Sequence, residues 1–91
     1  MNLIEVDITQ EDIANSLLKG EYKTPVEIAF NRQYFAYVIE FNPDGIFNIG
    51  QQEYEISEYL YFKLIHHASG SSRFEPCVVI FDAIKQKCDI L

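Results

Sequence analysis

The sequence predicts one small α+β domain over residues 1–91, in the order β-α(α)-β-β-α-β. This is the split βαβ or ferredoxin-like arrangement, an antiparallel-rich sheet with its helices on one face. Three observations lead there. Runs of period-two alternation or of β-branched and aromatic residues alternate with runs of helical spacing. Two helix starts carry N-cap signatures. A Pro-Asp-Gly turn separates two strand-like runs. Right-handed crossovers place both helical layers on the same side of the sheet and leave the other side open.

The elements follow in order. Leu3, Glu5 and Asp7 alternate with Ile4, Val6 and Ile8, which reads as a strand with one buried face. Thr9 opens a helix, because its hydroxyl can accept from the amide of Asp12, and Glu11 and Asp12 suit the positive end of the helix dipole. Ile13, Leu17 and Leu18 form its apolar stripe, and Gly20 is its expected stop. Thr24-Pro25-Val26-Glu27 combines a capping box with proline at the first helical position, so a second helix starts there, with Val26, Ala29 and Phe30 on one face.

Tyr34 to Phe41 reads as a central strand. Phe35, Tyr37, Ile39 and Phe41 lie on one side and Tyr34, Ala36, Val38 and Glu40 on the other, and both sides are largely apolar. Asn42-Pro43-Asp44-Gly45 is the turn into a return strand starting at Ile46. Gly50 reads as a bulge, with Gln51 to Ile56 continuing that strand. Ser57 caps the next helix, Ile56 staples onto Tyr61, and Leu60, Leu64 and His67 share a stripe. Ala68 to Ser72 is a loop. Cys77 to Phe81 is apolar enough for a strand buried on both faces. Asp82 to Leu91 reads either as a second hairpin or as a short helix.

Composition sets the outer limits. With 48% hydrophobic residues, seven Phe and six Tyr, the chain is too apolar for a disordered one. No window approaches the ~20 apolar residues of a membrane span. Met1 to Asp7 carries acids and no base, unlike a secretory signal. Cys77 and Cys88 therefore read as reduced thiols in a cytoplasmic protein. Fourteen acids against seven bases give a net charge of −7, which argues against nucleic acid or anionic lipid as a partner and suits a basic one.

The chemistry-bearing residues are sparse. His66 and His67 are helix neighbours pointing ~100° apart and cannot grip one ion. The two cysteines lack Cys-x-x-Cys spacing, so no metal is expected. Ser57 is explained as a cap and Ser69, Ser71 and Ser72 as loop residues. There is no Gly-x-Ser-x-Gly elbow and no phosphate-cradling glycine loop, so no cofactor is expected. Two enzymatic constellations remain: a Cys–His pair drawn from Cys77, Cys88, His66 and His67, or Glu53 and Glu55 as an acid/base pair on one strand face. Against them stand packing thiols and a solvated strand face.

At Ile8-Thr9-Gln10-Glu11-Asp12-Ile13, followed by Thr24-Pro25-Val26-Glu27-Ile28-Ala29, the chain resembles a group of small phage, prophage and plasmid proteins. Phe74-Glu75-Pro76-Cys77 matches a later segment of that group. The chain departs from the pattern at Thr24, where the group usually has cysteine, and at Glu27, where it often has alanine. The resemblance implies a mobile-element accessory protein that acts on a host system.

The expected function is thus a non-enzymatic, acidic protein-binding module that inhibits or modulates a host macromolecule. Its expected partner-binding residues are Glu53, Glu55, Glu58 and Tyr59, which lie within seven residues and combine carboxylates with a tyrosine anchor. A homodimeric structural module and a small enzyme are the alternatives.

Overall fold

The computed structural model describes residues 3–16 and 23–91. They form β1 (Leu3–Ile8), α1 (Gln10–Asn15), α2 (Pro25–Gln33), β2 (Ile39–Asn42), β3 (Ile46–Ile49), β4 (Gln52–Ile56), α3 (Glu58–Ala68), β5 (Cys77–Asp82) and β6 (Lys87–Ile90). The expected continuation of α1 through Leu17 and Leu18 to Gly20 lies outside the described residues.

The helix starts form as local chemistry dictates. Thr9 and Thr24 each accept from the amide three residues on, while Asp12 and Glu27 reach back to the cap amide, so both are complete capping boxes. Glu27 does more than close its box. Its second oxygen accepts from the amide of Phe41 at 3.3 Å, tying the start of α2 to β2.

All six strands belong to one mixed sheet in the order β1-β5-β6-β4-β3-β2. Four neighbouring pairs are antiparallel, and β4 with β6 is parallel. The ferredoxin-like expectation is corrected here. That arrangement has four strands with the first and third adjacent, whereas β5 and β6 lie between β1 and β4. The tail supplies the difference. Asp82 accepts from the amides of Ile84 and Lys85, Gln86 takes a left-handed conformation (φ 55°), and the chain returns as β6. Of the two readings of the tail, the hairpin is the one that forms.

Cross-strand partners share a face. The register therefore gathers Val6, Ile8, Val79, Phe81, Cys88, Tyr54, Ile56, Phe47, Ile49 and Ile39 on one side, all buried in one core with Ile13, Val26, Phe30, Leu60 and Leu64 of the helices. The sheet curls around this core. Phe81 on β5 and Phe47 on β3 are three strand spacings apart, ~14 Å in a flat sheet, yet their rings meet at 5.7 Å. Phe30 and Tyr54 close on Phe81 from other sides at 6.1 and 5.2 Å.

Curling brings the two sheet edges to opposite ends of α2. At the β1 edge the Gln33 carboxamide accepts from the Asp7 amide and donates to the Asp7 carbonyl, imitating a neighbouring strand. Arg32 donates to the same carbonyl, and the Tyr34 hydroxyl donates to that of Glu5. This edge is thereby occupied by side chains rather than left as a template for another chain. Asp12 anchors the clamp, because the Arg32 guanidinium forks onto both its oxygens at 3.0 and 2.8 Å.

Three further expectations are corrected. The run from Tyr34 to Phe41 is not a central strand; only Ile39–Asn42 is strand, and it lies at the sheet edge. Tyr34 ends α2 by donating its amide to Phe30, packs its ring on Phe30 at 5.2 Å and starts a turn closed by Tyr37. That turn leaves Phe35, Tyr37 and Val38 exposed. Gly50 is not a bulge but the first residue of a two-residue hairpin joining Ile49 to Gln52. Its φ of 61°, followed by a residue without positive φ, suits a type II′ turn. Finally, β5 is buried on one face only, with Val78 and Ile80 half-buried on the other.

Candidate functional site

The helices pack against the inner face of the sheet, so the outer face meets solvent. Its strand residues are Leu3, Glu5 and Asp7 on β1, Val78, Ile80 and Asp82 on β5, Lys87 and Asp89 on β6, Glu53 and Glu55 on β4, Ile46 and Asn48 on β3, and Glu40 and Asn42 on β2. Alternation thus sends seven carboxylates outward beside one lysine, with half-buried Val78, Ile80 and Ile46 among them. The partners of these acids are few. Lys87 stands 3.7 Å from Glu55, and both side chains are largely in water. Asp89 accepts from the Ser57 hydroxyl, and Asp82 holds the β5–β6 turn. Glu53 follows Asn48 and Glu40 across β3 and β2 in a row of cross-strand neighbours.

The four expected partner-binding residues divide between two surfaces. Glu53 and Glu55 belong to the acidic outer face and line a hollow with Asp44, Lys85 and Gln86. Glu58 and Tyr59 lie in the first turn of α3 and line a different hollow, of about 510 Å³, with Phe62, Lys63, His66 and Ser72. The split follows from Ser57, where the chain leaves the sheet plane to enter a helix on the opposite layer; its hydroxyl accepts from the Leu60 amide.

Sequence spacing alone passed over the outward stripe of α3. Leu60, Leu64 and His67 face the core, while Tyr59 and Phe62 are 62% and 64% exposed and Ile65 joins them. The stripe is ordered by its own contacts. Lys63 lies over the Tyr59 ring at 5.2 Å, Phe62 and His66 stack at 4.1 Å, and His66 bonds through Nδ1 to Ser71 at 3.0 Å. A count of apolar residues on both faces of this helix is the signal that would have found it.

The enzymatic constellations fare differently. Cys88 is walled into the core, where burial and, secondarily, Asp89 push its thiol pKa up, away from the reactive thiolate. Burial also raises Cys77, with Lys63 opposing. His67 is buried and held neutral by that burial. Its Nε2 lies 2.9 Å from the Ser16 hydroxyl, whose proton goes to the Ile13 carbonyl at 2.6 Å. Nε2 must therefore carry the hydrogen and donate, so this pair joins α3 to the end of α1 rather than activating the serine. Among the described residues no three His, Cys, Asp or Glu side chains stand close enough to hold a metal ion. No described helix is long and apolar enough to cross a membrane.

Neither a protein-family model, nor a curated protein, nor a solved structure matches the chain.

Proposed function

We propose that the chain is a non-enzymatic protein-binding module whose acidic outer sheet face docks on a basic protein surface. The observation that supports this reading is the alternation that turns Glu5, Asp7, Glu40, Glu53, Glu55, Asp82 and Asp89 to the side away from the helices, with Lys87 as the lone strand base. Such a face steers a cationic partner and repels nucleic acid and anionic lipid. Half-buried Ile80, Val78 and Ile46 supply apolar surface that a docked partner would cover. Glu53 and Glu55 of the expected set belong to this interface, while Glu58 and Tyr59 do not.

The resemblance at Ile8–Ile13 and Thr24–Ala29 supplies the setting. The partner is a host macromolecule in the cytoplasm, and binding inhibits or modulates it. The test is capture from host lysate with the wild-type chain and with a Glu53→Lys/Glu55→Lys variant, Glu58→Lys serving as control. A basic protein held by wild type and by the control, and lost from the double variant, is the expected result. Equal capture by all three forms would overturn the reading.

A further inference from the structure

A hollow of about 400 Å³ lies between α1 and the segment that follows α3, with Gln10, Ile13, His67, Ser72, Arg73 and Phe74 in its wall. Four other hollows on the described surface each carry a carboxylate in the wall. This one carries none, in a chain with fourteen acids against seven bases. Its polar groups are also unengaged. Among the described residues the Gln10 carboxamide and the Ser72 hydroxyl make no hydrogen bond, and Arg73 pairs with no acid. All three can donate to a ligand. His67 closes the floor, with its side chain only 4% exposed. Its Nε2 donates to Ser16, so the free lone pair is on Nδ1. Every fully buried side-chain nitrogen and oxygen among the described residues has a partner. Nδ1 has none, so solvent reaches it, and the hollow is where the ring meets solvent.

We infer that this hollow is an oxyanion site, in which sulfate or a phosphate group lies between the Arg73 guanidinium and a proton taken up at Nδ1 of His67. Without an anion His67 is neutral, because burial disfavours its charged form. The described elements packed on it bring no carboxylate that would hold a proton there. From α1 come Gln10, Ile13 and Ser16, and from the segment after α3 come Arg73 and the Phe74 ring at 6.0 Å. Lys63, one turn back on α3, lies over the Tyr59 ring. A bound anion supplies the missing counter-charge. Nδ1–H and the guanidinium then donate charge-assisted hydrogen bonds to its oxygens, and Ser72 and Gln10 complete the set. Anion binding and proton uptake are therefore linked, each favouring the other by the same factor. The acidic sheet face plays no part in this site.

NMR of the full chain tests this, following the His67 ring through a pH titration in sodium sulfate and in sodium chloride of equal ionic strength. Sulfate keeps its charge across the range. It should raise the His67 titration midpoint by about one pH unit or more over chloride. Between the two midpoints its affinity should fall about tenfold for each unit rise in pH. Arg73→Gln should weaken sulfate binding by about tenfold, at an unchanged unfolding midpoint because Arg73 is exposed. Inorganic phosphate and glycerol phosphate, both largely monoanionic at roughly pH 5, separate the sources: an ester site takes both, a free-ion site inorganic phosphate alone. A His67 midpoint no higher in sulfate than in chloride, a sulfate affinity independent of pH, rejection of both phosphates, or an Arg73→Gln chain that binds sulfate like wild type would each overturn the inference.

Discussion

Removing Arg32 should cost more than removing Asp12, its partner, although Arg32 is the more exposed of the two. The Asp12 side chain is 3% accessible and that of Arg32 46%. Arg32→Ala leaves the Asp12 carboxylate buried with only the Thr9 amide and hydroxyl to bond it. Stranding one member of a buried pair costs about 3 kcal/mol at the lower end of its range. Asp12→Ala removes the buried charge itself and lets the guanidinium turn to water. It loses one capping box and the fork, about 2 kcal/mol together. The double variant should then cost little more than either single one, a coupling of roughly 2 kcal/mol. For a domain this size, ~3 kcal/mol lowers the melting temperature by roughly 10–25 °C. Urea unfolding of the four proteins followed by circular dichroism measures the cycle. Additive effects, or an Arg32→Ala cost below ~1 kcal/mol, would refute the reasoning. Acid provides a second check. Burial raises the Asp12 pKa, but the Arg32 and Thr9 hydrogen bonds outweigh it, and the net shift is down. The contribution of Asp12 is therefore fully present above its unfolded value of about 4 and fades as pH falls through the lower folded value.

Three other outcomes follow. Thr24→Ala should destabilise the fold by about 1 kcal/mol in a denaturant titration through loss of the α2 cap, and an unchanged midpoint would count against the capping box. Glu27→Ala should cost more than Thr24→Ala, about 2 kcal/mol, because its carboxylate also holds the Phe41 amide of β2; equal losses would show that link to be idle. His67 is held neutral by burial, so its folded pKa lies below the unfolded value of about 6.5. Its contribution is complete above pH ~6.5 and declines as pH falls through the folded value. His67→Gln should flatten that part of the stability–pH curve, and an unaltered slope would contradict the assignment.

Local signals were legible where one side chain answers to one backbone group. Thr9, Thr24 and Ser57 cap the helices they were expected to cap, and Asn42 to Gly45 makes its turn. Long-range order was less so. The apolar run from Tyr34 to Val38 has strand composition, but the ties from Tyr34 to Phe30 and to Glu5 decide its path, and Glu5 lies 29 residues away in sequence. Strand order turned on β6, whose four residues carry little periodicity and take their place from the turn at Asp82 and the ladder with β4. For the candidate site, alternation at Glu53 and Glu55 was readable within β4. The join with Glu5, Asp7, Asp82 and Asp89 exists only through the register of the folded sheet.

The central claim, an acidic sheet face that docks on a basic protein, is tested most directly by the association rate of the captured partner across salt. Stopped-flow mixing at roughly 50 to 500 mM salt compares wild type with Glu40→Lys/Glu53→Lys/Glu55→Lys, three substitutions along exposed strand positions that leave the core untouched. The account predicts a rate that falls steeply with salt for wild type and lies about tenfold or more lower for the variant at low salt, the two converging as salt rises. A rate insensitive to salt and equal in both proteins would contradict it.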